Sequence, residues 1–290
     1  MFLPGRGMLG ASLRHRGREL LGRVGDLDAA AAKGSTAGIP LLYPWANRLA
    51  APRYRAAGRE VVLDPASPLL HLDERGLPIH GVPWARLAWE VTAAAQDALR
   101  ARLDWTRDEL LSVFPFRHRV EMGIQLRPEA LTLETTVTPL GGEAVPVSFG
   151  FHPYFSLAGM PRAQWRLRLP GLRRLVLDGR GIPTGEEAAV GPLDEELGDR
   201  AWDDGFALVG QEGAALGLAG AGRRIILELL SGYRYTQVFA PQDKDFVALE
   251  PMTAPTNALV RGSGLASAGA GDPFRASFRI RIEVEEPRLG

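Results

Sequence analysis

Cysteine is absent from this chain of 290 residues. The absence excludes disulfide bonds, thiolate nucleophiles and cysteine-ligated metal sites, and it is compatible with a reducing compartment. Neither sign of charge is in excess, because 34 Lys and Arg residues balance 34 Asp and Glu residues. A balanced chain has no net field that favours nucleic acid or an anionic membrane. We therefore expect a partner that is neutral or recognised locally, and no nucleic acid.

Long apolar segments are also missing. The N-terminal segment MFLPGRGMLGASLRHRGRELLG mixes Arg and Gly with its apolar residues, unlike the continuous apolar core of a signal peptide. No run elsewhere reaches the roughly 20 apolar residues that a membrane-spanning helix needs. We therefore predict a soluble, cytoplasmic protein that does not contact a membrane.

Apolar residues alternate with polar ones in many segments. Near the C-terminus, in RASFRIRIEVEE, the apolar residues recur with a period of two, as in a strand with one buried face. Four further segments show the same alternation: residues 99–105, 120–126, 131–137 and 165–169. The 34 Gly and 22 Pro residues fall largely between such segments, as turn residues do. The pattern predicts an all-β protein, built as a large antiparallel β-sandwich.

Helical patterns are short, and no linker is visible. Residues 26–33 and 193–202 are the two helix candidates. The small-residue stretch at residues 262–272 is interpreted as a loop before the last strand. Strand signals continue along the chain without a charged or Ser-rich interruption, so we predict one domain over residues 1–290.

Several chemical motifs are absent. The chain has no GxSxG elbow, no P-loop and no GxGxxG after a strand, so serine hydrolase, NTPase and dinucleotide-binding interpretations lack their opening signals. The histidines do not have the close spacing of a metal-binding helix or strand, and no metal or cofactor is predicted. The five are His15, His71, His80, His118 and His152.

Two of these histidines stand in unusual contexts. His80 lies in LPIHGVPW, and His152 lies in the aromatic segment SFGFHPYF. Gly81 and Pro153 indicate that the chain leaves regular strand at both points, where functional loops occur. A packed histidine whose ring nitrogens are satisfied internally fits either context equally well.

Carboxylates near the apolar segments are the other candidates. Glu250 follows the apolar run FVAL and precedes PMTAP, so we place it at a strand end, where burial is costly without a partner or a reaction. A hydrogen-bonded turn carboxylate fits this context equally well. Asp203 and Asp204 precede a glycine, which is typical of a solvated turn.

Six ordered segments carry a resemblance to a known family. They are PWANRLAAPRY, IHGVPWARLAWEV, FPF, PVSFGFHPYF, WDDGF and LEPMTAPTNAL, beginning at residues 44, 79, 114, 146, 202 and 249. Together they resemble the motif set of the aldose 1-epimerase, or mutarotase, family. The opening MLGASLRHRGRELL is similar to the family's first hairpin, so the resemblance covers nearly the whole chain. It implies a galactose mutarotase-like β-supersandwich with a carbohydrate cleft on one sheet face.

The resemblance implies roles at matching positions. His152 matches the general acid that protonates the ring oxygen, and Glu250 matches the general base that takes the proton from the anomeric hydroxyl. A carboxylate with a pKa of about 4.3 and an imidazole of about 6.5 can supply these forms near neutral pH. Substrate-binding roles are implied for four further residues: Asn47, Arg48, His80 and Asp203.

The chain departs from the family pattern in three places. Asp204 stands where many relatives have His, Thr138 stands where Asn is frequent, and the region of Thr236 also differs from the commonest pattern. These departures concern the preferred sugar more than the acid and the base.

The function implied is mutarotation of free hexoses, with a monosaccharide as the partner and a monomer or homodimer as the assembly. Two alternatives stay open. One is an epimerase of hexose 6-phosphates, in which Arg53, Arg55 and Arg86 converge with Arg48 on the phosphate. The other is a sugar-binding or regulatory protein without catalysis, because a fold does not determine its function.

Overall fold

The computed structural model describes residues 1–22, 25–208, 210 and 213–284. In chain order the strands of the first half are β1 (Phe2–Leu3), β2 (Leu9–Gly10), β3 (Arg14–His15), β4 (Arg18–Glu19), β5 (Leu41–Leu42), β6 (Arg53–Ala56), β7 (Arg59–Val62), β8 (Glu90–Ala94), β9 (Ala98–Trp105), β10 (His118–Arg127), β11 (Ala130–Pro139), β12 (Val145–Val147) and β13 (Gly150–Phe151). The second half continues with β14 (Tyr154–Phe155), β15 (Arg166–Leu169), β16 (Leu172–Leu177), β17 (Pro183–Val190), β18 (Leu193–Glu196), β19 (Trp202–Ala207), β20 (Ala215–Gly220), β21 (Arg223–Ser231), β22 (Tyr235–Ala240), β23 (Val247–Met252), β24 (Ala266–Ala268) and β25 (Phe274–Val284).

Helices are short in the described part of the chain. The α-helices are α1 (Leu27–Ala32), α2 (Asp108–Val113) and α3 (Ala258–Arg261), and 3-10 turns lie at Pro4–Arg6, Trp84–Arg86 and Arg162–Gln164. Across these residues, no helix combines the length and the apolar character needed to cross a bilayer.

Two large antiparallel sheets contain most of the strands. The first has nine strands in the order β18-β15-β20-β21-β25-β11-β10-β9-β8. The second has eight, in the order β17-β16-β19-β22-β23-β13-β5, with β14 also pairing with β23. Two-stranded sheets add β1 with β2, β3 with β4, β6 with β7, and β12 with β24. This architecture confirms the predicted all-β class with large antiparallel sheets.

The two large sheets pack face to face around a shared apolar cluster. Phe151 of β13 lies against Phe278 of β25, with ring centroids 5.1 Å apart. Val238 of β22 and Leu249 of β23 belong to the same buried cluster. The two inner faces therefore interdigitate as in a β-sandwich.

Strand alternation determines which side chains of the eight-stranded sheet face away from this core. On β23, Val247 and Leu249 belong to the cluster between the sheets. Their neighbours Ala248 and Met252 pack in separate clusters on the opposite, outer face. Glu250 shares that outer face, because successive side chains of a strand point to opposite sides. The register of β23 thus directs the Glu250 carboxylate away from the main core.

The strongly alternating segments were predicted correctly. They form β9, β10, β11, β15 and β25, and residues 285 and 286 of the last segment lie outside the described residues. The opening hairpin is present as β3 and β4. The helix predicted at residues 26–33 is confirmed by α1, where the N-cap Asp26 accepts a hydrogen bond from the Ala29 N–H at 2.9 Å.

The helix predicted at residues 193–202 is wrong, because β18 occupies its first half at the edge of the nine-stranded sheet. Asp194 forms ion pairs with Arg166 at 3.0 Å and with Arg168 at 2.9 Å, both on the neighbouring β15. Such cross-strand pairs favour a strand.

Three smaller predictions also need correction. The loop expected at residues 262–272 contains β24, which pairs with β12. Asp203 and Asp204 lie within β19, which pairs with β22, and not in a solvated turn. Glu250 lies inside β23, which extends two residues beyond it, and not at a strand end. Pairing with neighbouring strands, which no local pattern reveals, extends the regular structure at all three sites.

A close backbone approach holds the loop of His80 against the segment that carries Asn47. Tyr43 and Gly81 form a parallel bridge, and the Val82 N–H donates to the Tyr43 carbonyl at 2.8 Å. Gly81 has a φ of +67°, and a Cβ there would lie 2.2 Å from that carbonyl oxygen. Glycine is therefore required for the approach that sets the distance between the two loops.

Gly81→Ala is accordingly expected to destabilise the protein more than a glycine change in open space. Gly58 is the matched control, since its φ is +79° and a Cβ there would meet nothing within 4 Å. Gly58→Ala should cost about 1–2 kcal/mol for the left-handed backbone alone. Gly81→Ala should cost at least ~2 kcal/mol more, because the backbone must also shift. Urea unfolding of both variants measures the difference, and equal losses would contradict the steric argument.

Candidate active site

A cavity of about 210 Å³ opens on the outer face of the eight-stranded sheet. It is smaller than the roughly 300–1,000 Å³ of pockets for drug-sized ligands, so it suits a smaller molecule. Asp203, Phe239 and Glu250 reach it from the adjacent strands β19, β22 and β23. All six residues predicted as site residues line it: Asn47, Arg48, His80, His152, Asp203 and Glu250.

His152 and Glu250 are in direct contact. The distance from His152 Nε2 to Glu250 Oε1 is 3.1 Å, and the two side chains are 5% and 2% exposed. His152 lies in the break between β13 and β14, where its backbone N–H donates to the Pro40 carbonyl at 3.2 Å. The fold thus brings a loop histidine and a strand carboxylate, far apart in sequence, into one buried pair.

Burial changes the acidity of Glu250. It raises the pKa of this carboxyl well above the ordinary 4.5, the Asp203 carboxylate adds to the rise, and Arg48 opposes it. Oε2 of Glu250 is buried and makes no hydrogen bond within the described residues. A carboxylate with a raised pKa is a stronger base, and a buried oxygen of this kind can accept a hydrogen bond from a ligand hydroxyl.

Aromatic rings surround the His152 imidazole. Tyr154 stacks on it with ring centroids 4.3 Å apart, and Phe239 and His80 meet it edge to face at 5.9 Å and 5.6 Å. The Tyr154 hydroxyl lies 3.4 Å from His152 Nε2 and is also hydrogen-bonded to Thr36. These neighbours hold the plane of the imidazole so that Nε2 faces Glu250.

His80 is a neutral hydrogen-bond donor in this arrangement. Its φ of +62° is left-handed, a conformation that costs a non-glycine residue about 1–2 kcal/mol and is concentrated at functional sites. Burial, helped by His152 and Arg48, lowers the pKa of His80 well below 6.5. Its Nδ1 accepts a hydrogen bond from the Asn47 N–H at 3.2 Å. The proton of the neutral ring therefore resides on Nε2, which can donate to a ligand.

Arg48 is held by several partners. Its Nε donates to Asp73 Oδ2 at 2.8 Å, and its Nη1 donates to Asn47 Oδ1 at 3.4 Å. Nη1 also lies 4.0 Å from Asp203 Oδ2. Asp203 accepts a further hydrogen bond on Oδ1 from Gln237 Nε2 at 2.7 Å. Fixed donors and acceptors of this kind can bind hydroxyl groups along one side of a small ligand.

The charge of the cavity wall is mostly negative. Its carboxylates are Asp73, Glu74, Asp203 and Glu250. Among the described lining residues, Arg48 is the only arginine. The three arginines considered for phosphate binding are exposed and do not line the cavity: Arg53, Arg55 and Arg86. The wall is therefore unfavourable for an anionic group.

Two of the positions that depart from the family pattern, Asp204 and Thr138, lie outside the cavity wall. Asp204 follows Asp203 on β19, so strand alternation turns it to the opposite face, and it pairs with Arg174 Nη1 at 3.8 Å. Thr138 belongs to β11 of the nine-stranded sheet. Neither side chain lies where it would contact a ligand in the cavity.

Sequence reasoning missed other lining residues. Tyr154 belongs to the HPYF motif, so a signal for it was present. Asp73 also had a local signal, since an Asp followed by a glycine three residues later is typical of a turn. Thr36 and Phe239 had none, because only the tertiary fold brings them to the cavity.

His118 is a packed histidine whose two ring nitrogens are both satisfied inside the protein. Its Nδ1 donates to the Phe116 carbonyl at 2.6 Å, and its Nε2 is hydrogen-bonded to the Tyr43 hydroxyl. Burial lowers its pKa to about 4. Among the residues with described positions, no group of three or more His, Asp or Glu is placed to hold a metal ion.

Comparison with known proteins supports the fold and places the chain in a family. The family model described as aldose 1-epimerase matches residues 11–279. The chain belongs to the aldose 1-epimerase family. A solved structure of this fold, a galactose mutarotase-like protein from Clostridium acetobutylicum, is 20% identical with a TM-score of 0.82, covering 98% of this chain and 91% of that one.

Two further relatives extend the comparison. The Slr1438 protein from Synechocystis sp. PCC 6803 is 26% identical with a TM-score of 0.78, covering 98% of this epimerase-family chain and 91% of its own. The uncharacterized protein YphB of Escherichia coli K12 is 28% identical over 123 residues. That match spans 42% of this chain and 38% of YphB, which is well under half of either protein.

The raised pKa of Glu250 predicts a pH-dependent effect on stability. The carboxyl keeps its proton to a higher pH in the folded protein than in the unfolded chain, so stability present below about pH 4.5 is lost as the pH rises through the folded pKa. Glu250→Gln lacks this titration. The variant should therefore gain stability relative to the wild type as the pH is raised from about 4 to about 8.

Urea unfolding across this pH range measures the effect. Glu134→Gln, which removes an exposed carboxylate from β11, controls for the loss of one charge. A stability difference between Glu250→Gln and the wild type that stays constant with pH would contradict the burial argument.

Proposed function

We propose that the protein is an aldose 1-epimerase that interconverts the α and β anomers of free hexoses. The observation that carries the proposal is the 3.1 Å contact between His152 Nε2 and Glu250 Oε1 in the cavity wall. Anomer exchange requires a base at O1 and an acid at O5 of the sugar, and both oxygens are bonded to C1. The two catalytic groups must therefore lie close together, as this pair does.

Ring opening begins when the Glu250 carboxylate takes the proton of the O1 hydroxyl while the His152 imidazolium gives a proton to O5. The C1–O5 bond breaks with its electron pair on O5, and a C1–O1 carbonyl forms. After rotation about C1–C2, O5 attacks the other face of C1. His152 then recovers its proton from O5, and Glu250 returns one to O1. Proton transfer alone completes the cycle, so the proposal assigns no metal and no cofactor.

Glu250 is suited to the basic role. General base catalysis is most efficient when the pKa of the base lies near the working pH. Burial moves the pKa of Glu250 in that direction from 4.5. Its Oε2, buried and without a hydrogen bond in the described structure, is an acceptor for the O1 hydroxyl.

The other lining residues supply the binding contacts in this proposal. Neutral His80 donates through Nε2, Arg48 donates through its Nη groups, and Asp203 accepts from sugar hydroxyls. Asn47 orients both neighbours, because its side-chain oxygen accepts from the Arg48 N–H at 2.9 Å and its own N–H binds His80. Phe239 presents an apolar edge suited to the carbon face of a pyranose.

An enzyme explains this pair better than a binding protein does. Placing a carboxylate and an imidazole together out of water carries a desolvation cost of several kcal/mol per ion. Sugar recognition alone needs only hydrogen-bonding groups at the rim. The combination of a buried base and an adjacent acid therefore favours catalysis.

The variants Glu250→Gln and His152→Ala should each lower the catalysed exchange rate by about 10²–10⁴-fold, because each removes one proton-transfer group. Their combined effect should be smaller than the product of the single effects, since the two groups act as a unit. Proton NMR exchange between glucose anomers, corrected for the spontaneous rate, measures the loss. Glu134→Gln and His15→Gln are the controls, as both residues lie outside the cavity wall. Near-normal turnover by a folded Glu250 or His152 variant would end the assignment.

Free hexoses should be better substrates than their 6-phosphates. A phosphate adds a charge of about −1.5 to −2 at neutral pH, and the carboxylates of the wall repel it. We expect kcat/KM for glucose to exceed that for glucose 6-phosphate at least ~10-fold, with the gap narrowing as added salt screens the repulsion. Exchange NMR of both sugars in the same buffer tests this. A tenfold preference for the phosphate would instead favour the hexose 6-phosphate alternative.

A further inference from the structure

Two loops beside the cavity repeat one sequence pattern. Residues 72–78 read LDERGLP, and residues 177–183 read LDGRGIP, so Leu, Asp, Arg, Gly and Pro recur in the same places. Each segment closes a hairpin, since Leu72 pairs with Pro78 and Leu177 pairs with Pro183. We call them the first and the second turn.

The two turns use their aspartates in the same way. In the first turn, Asp73 Oδ1 accepts hydrogen bonds from the backbone N–H groups of Arg75 and Leu77, each at 2.9 Å. In the second turn, Asp178 Oδ1 accepts the two equivalent bonds at 2.8 and 3.0 Å. One carboxylate oxygen therefore folds the turn, and the other oxygen is left for a further partner.

That further partner differs between the turns. Asp178 Oδ2 binds the arginine of its own turn, with Arg180 Nε at 3.2 Å and Nη2 at 3.1 Å. Asp73 Oδ2 instead binds Nε of Arg48 from the cavity wall at 2.8 Å. Arg75, the counterpart of Arg180, extends across to donate to the Arg180 carbonyl at 3.2 Å. In the second turn, where no arginine from elsewhere in the chain binds the aspartate, the arginine of the turn itself binds it.

The two ion pairs also differ in their burial. The side chains of Arg48 and Asp73 are 14% and 3% exposed, whereas those of Arg180 and Asp178 are 55% and 34% exposed. Burial on its own would raise the pKa of Asp73, but hydrogen bonds from two backbone N–H groups and from Arg48 lower it overall. Asp73 is thus a charged, rigidly held acceptor.

The contact with Asp73 constrains the rest of the Arg48 guanidinium. With Nε engaged, Nη1 is directed toward Asn47 and Asp203 in the cavity wall. The second turn closes the other side, because a Cβ at Gly181 would lie 3.5 Å from Arg48 Nη1. The planar group has five N–H donors in a fixed fork, so holding one edge sets the direction of the others.

We propose that Asp73 is a positioning residue of the active site, which binds Arg48 in place of Arg75 and holds the Arg48 guanidinium in the orientation that binds sugar hydroxyls. Its kinetic consequence rests on the proposed epimerase function, whereas the contact itself does not. Asp73 acts through Arg48, so its effect disappears when Arg48 is removed.

Asp73→Asn isolates this role. The amide oxygen can accept the two backbone bonds that fold the turn, which points the amide NH₂ at the Nε–H of Arg48. Two donors then face each other, and Arg48 leaves its position. Asp178→Asn is the matched control. It makes the same change at the equivalent position of the second turn, where the aspartate does not bind Arg48. Asp73→Ser, whose hydroxyl accepts a turn bond but is too short to reach Arg48, is the second variant if Asp73→Asn does not fold.

We expect Asp73→Asn to raise KM for glucose about 10-fold or more, through loss of a charge-assisted contact, with a smaller change in kcat because the His152 and Glu250 pair is intact. Asp178→Asn should stay within about twofold of the wild type. In an Arg48→Ala background, adding Asp73→Asn should change kcat/KM no further. Effects of the two changes that multiply, or equal KM values for Asp73→Asn and Asp178→Asn, would overturn the proposal.

Nitrogen-15 NMR of the arginine Nε–H groups tests the contact without any activity. The Arg48 Hε should exchange slowly with water in the wild type and in Asp178→Asn, and rapidly in Asp73→Asn or Asp73→Ser. Slow exchange that persists without the Asp73 carboxylate would overturn the positioning role. A wild-type protein that exchanges no hexose anomers would defeat the proposed function, and the NMR result would still decide the role of Asp73.

Discussion

The site depends on one constraint, the burial of the Glu250 carboxylate. Removing an ion from water costs several kcal/mol unless nearby groups compensate, and Glu250 is 2% exposed. The apolar cluster between the sheets offers no such group, but the outer face of the eight-stranded sheet offers His152 and the cavity. The period of two along β23 selects the outer face. A shift of one residue in register would place the charge in the core and a leucine in the site.

Loops supply the groups that a flat sheet cannot place around this carboxylate. His152 stands in the break between β13 and β14, and both His80 and Asn47 have left-handed backbone conformations. Gly81 allows the loop of His80 to approach the backbone of Tyr43. The sheet therefore provides Glu250 and the rigid floor, whereas irregular backbone brings His152 and the hydrogen-bond donors to meet it.

Features that depend on local sequence patterns were predicted correctly, and features that depend on contacts distant in sequence were not. Long alternating segments such as β25 were predictable, because each strand carries its own burial pattern. The helix at residues 193–202 was wrong, because the arginines of β15 that recruit its acidic residues are distant in sequence. Motif resemblance predicted six lining residues, but Phe239 escaped it, since strand pairing alone places it beside Asp203. The single domain, the assembly and the cellular location stay predictions.

Comparison of the two turns separates the contacts that the local sequence determines from those that the tertiary surroundings determine. The pattern itself determines the hydrogen bonds of one aspartate oxygen in both turns, and the surroundings determine the partner of the other. At Asp73 that partner is Arg48, so the aspartate both orients the guanidinium and cancels its charge. Arg48 consequently offers directed hydrogen bonds without a net positive field. A wall with directed donors and surplus negative charge suits hydroxyl groups and disfavours anions, which connects the rigidity of Arg48 with the proposed preference for neutral sugars.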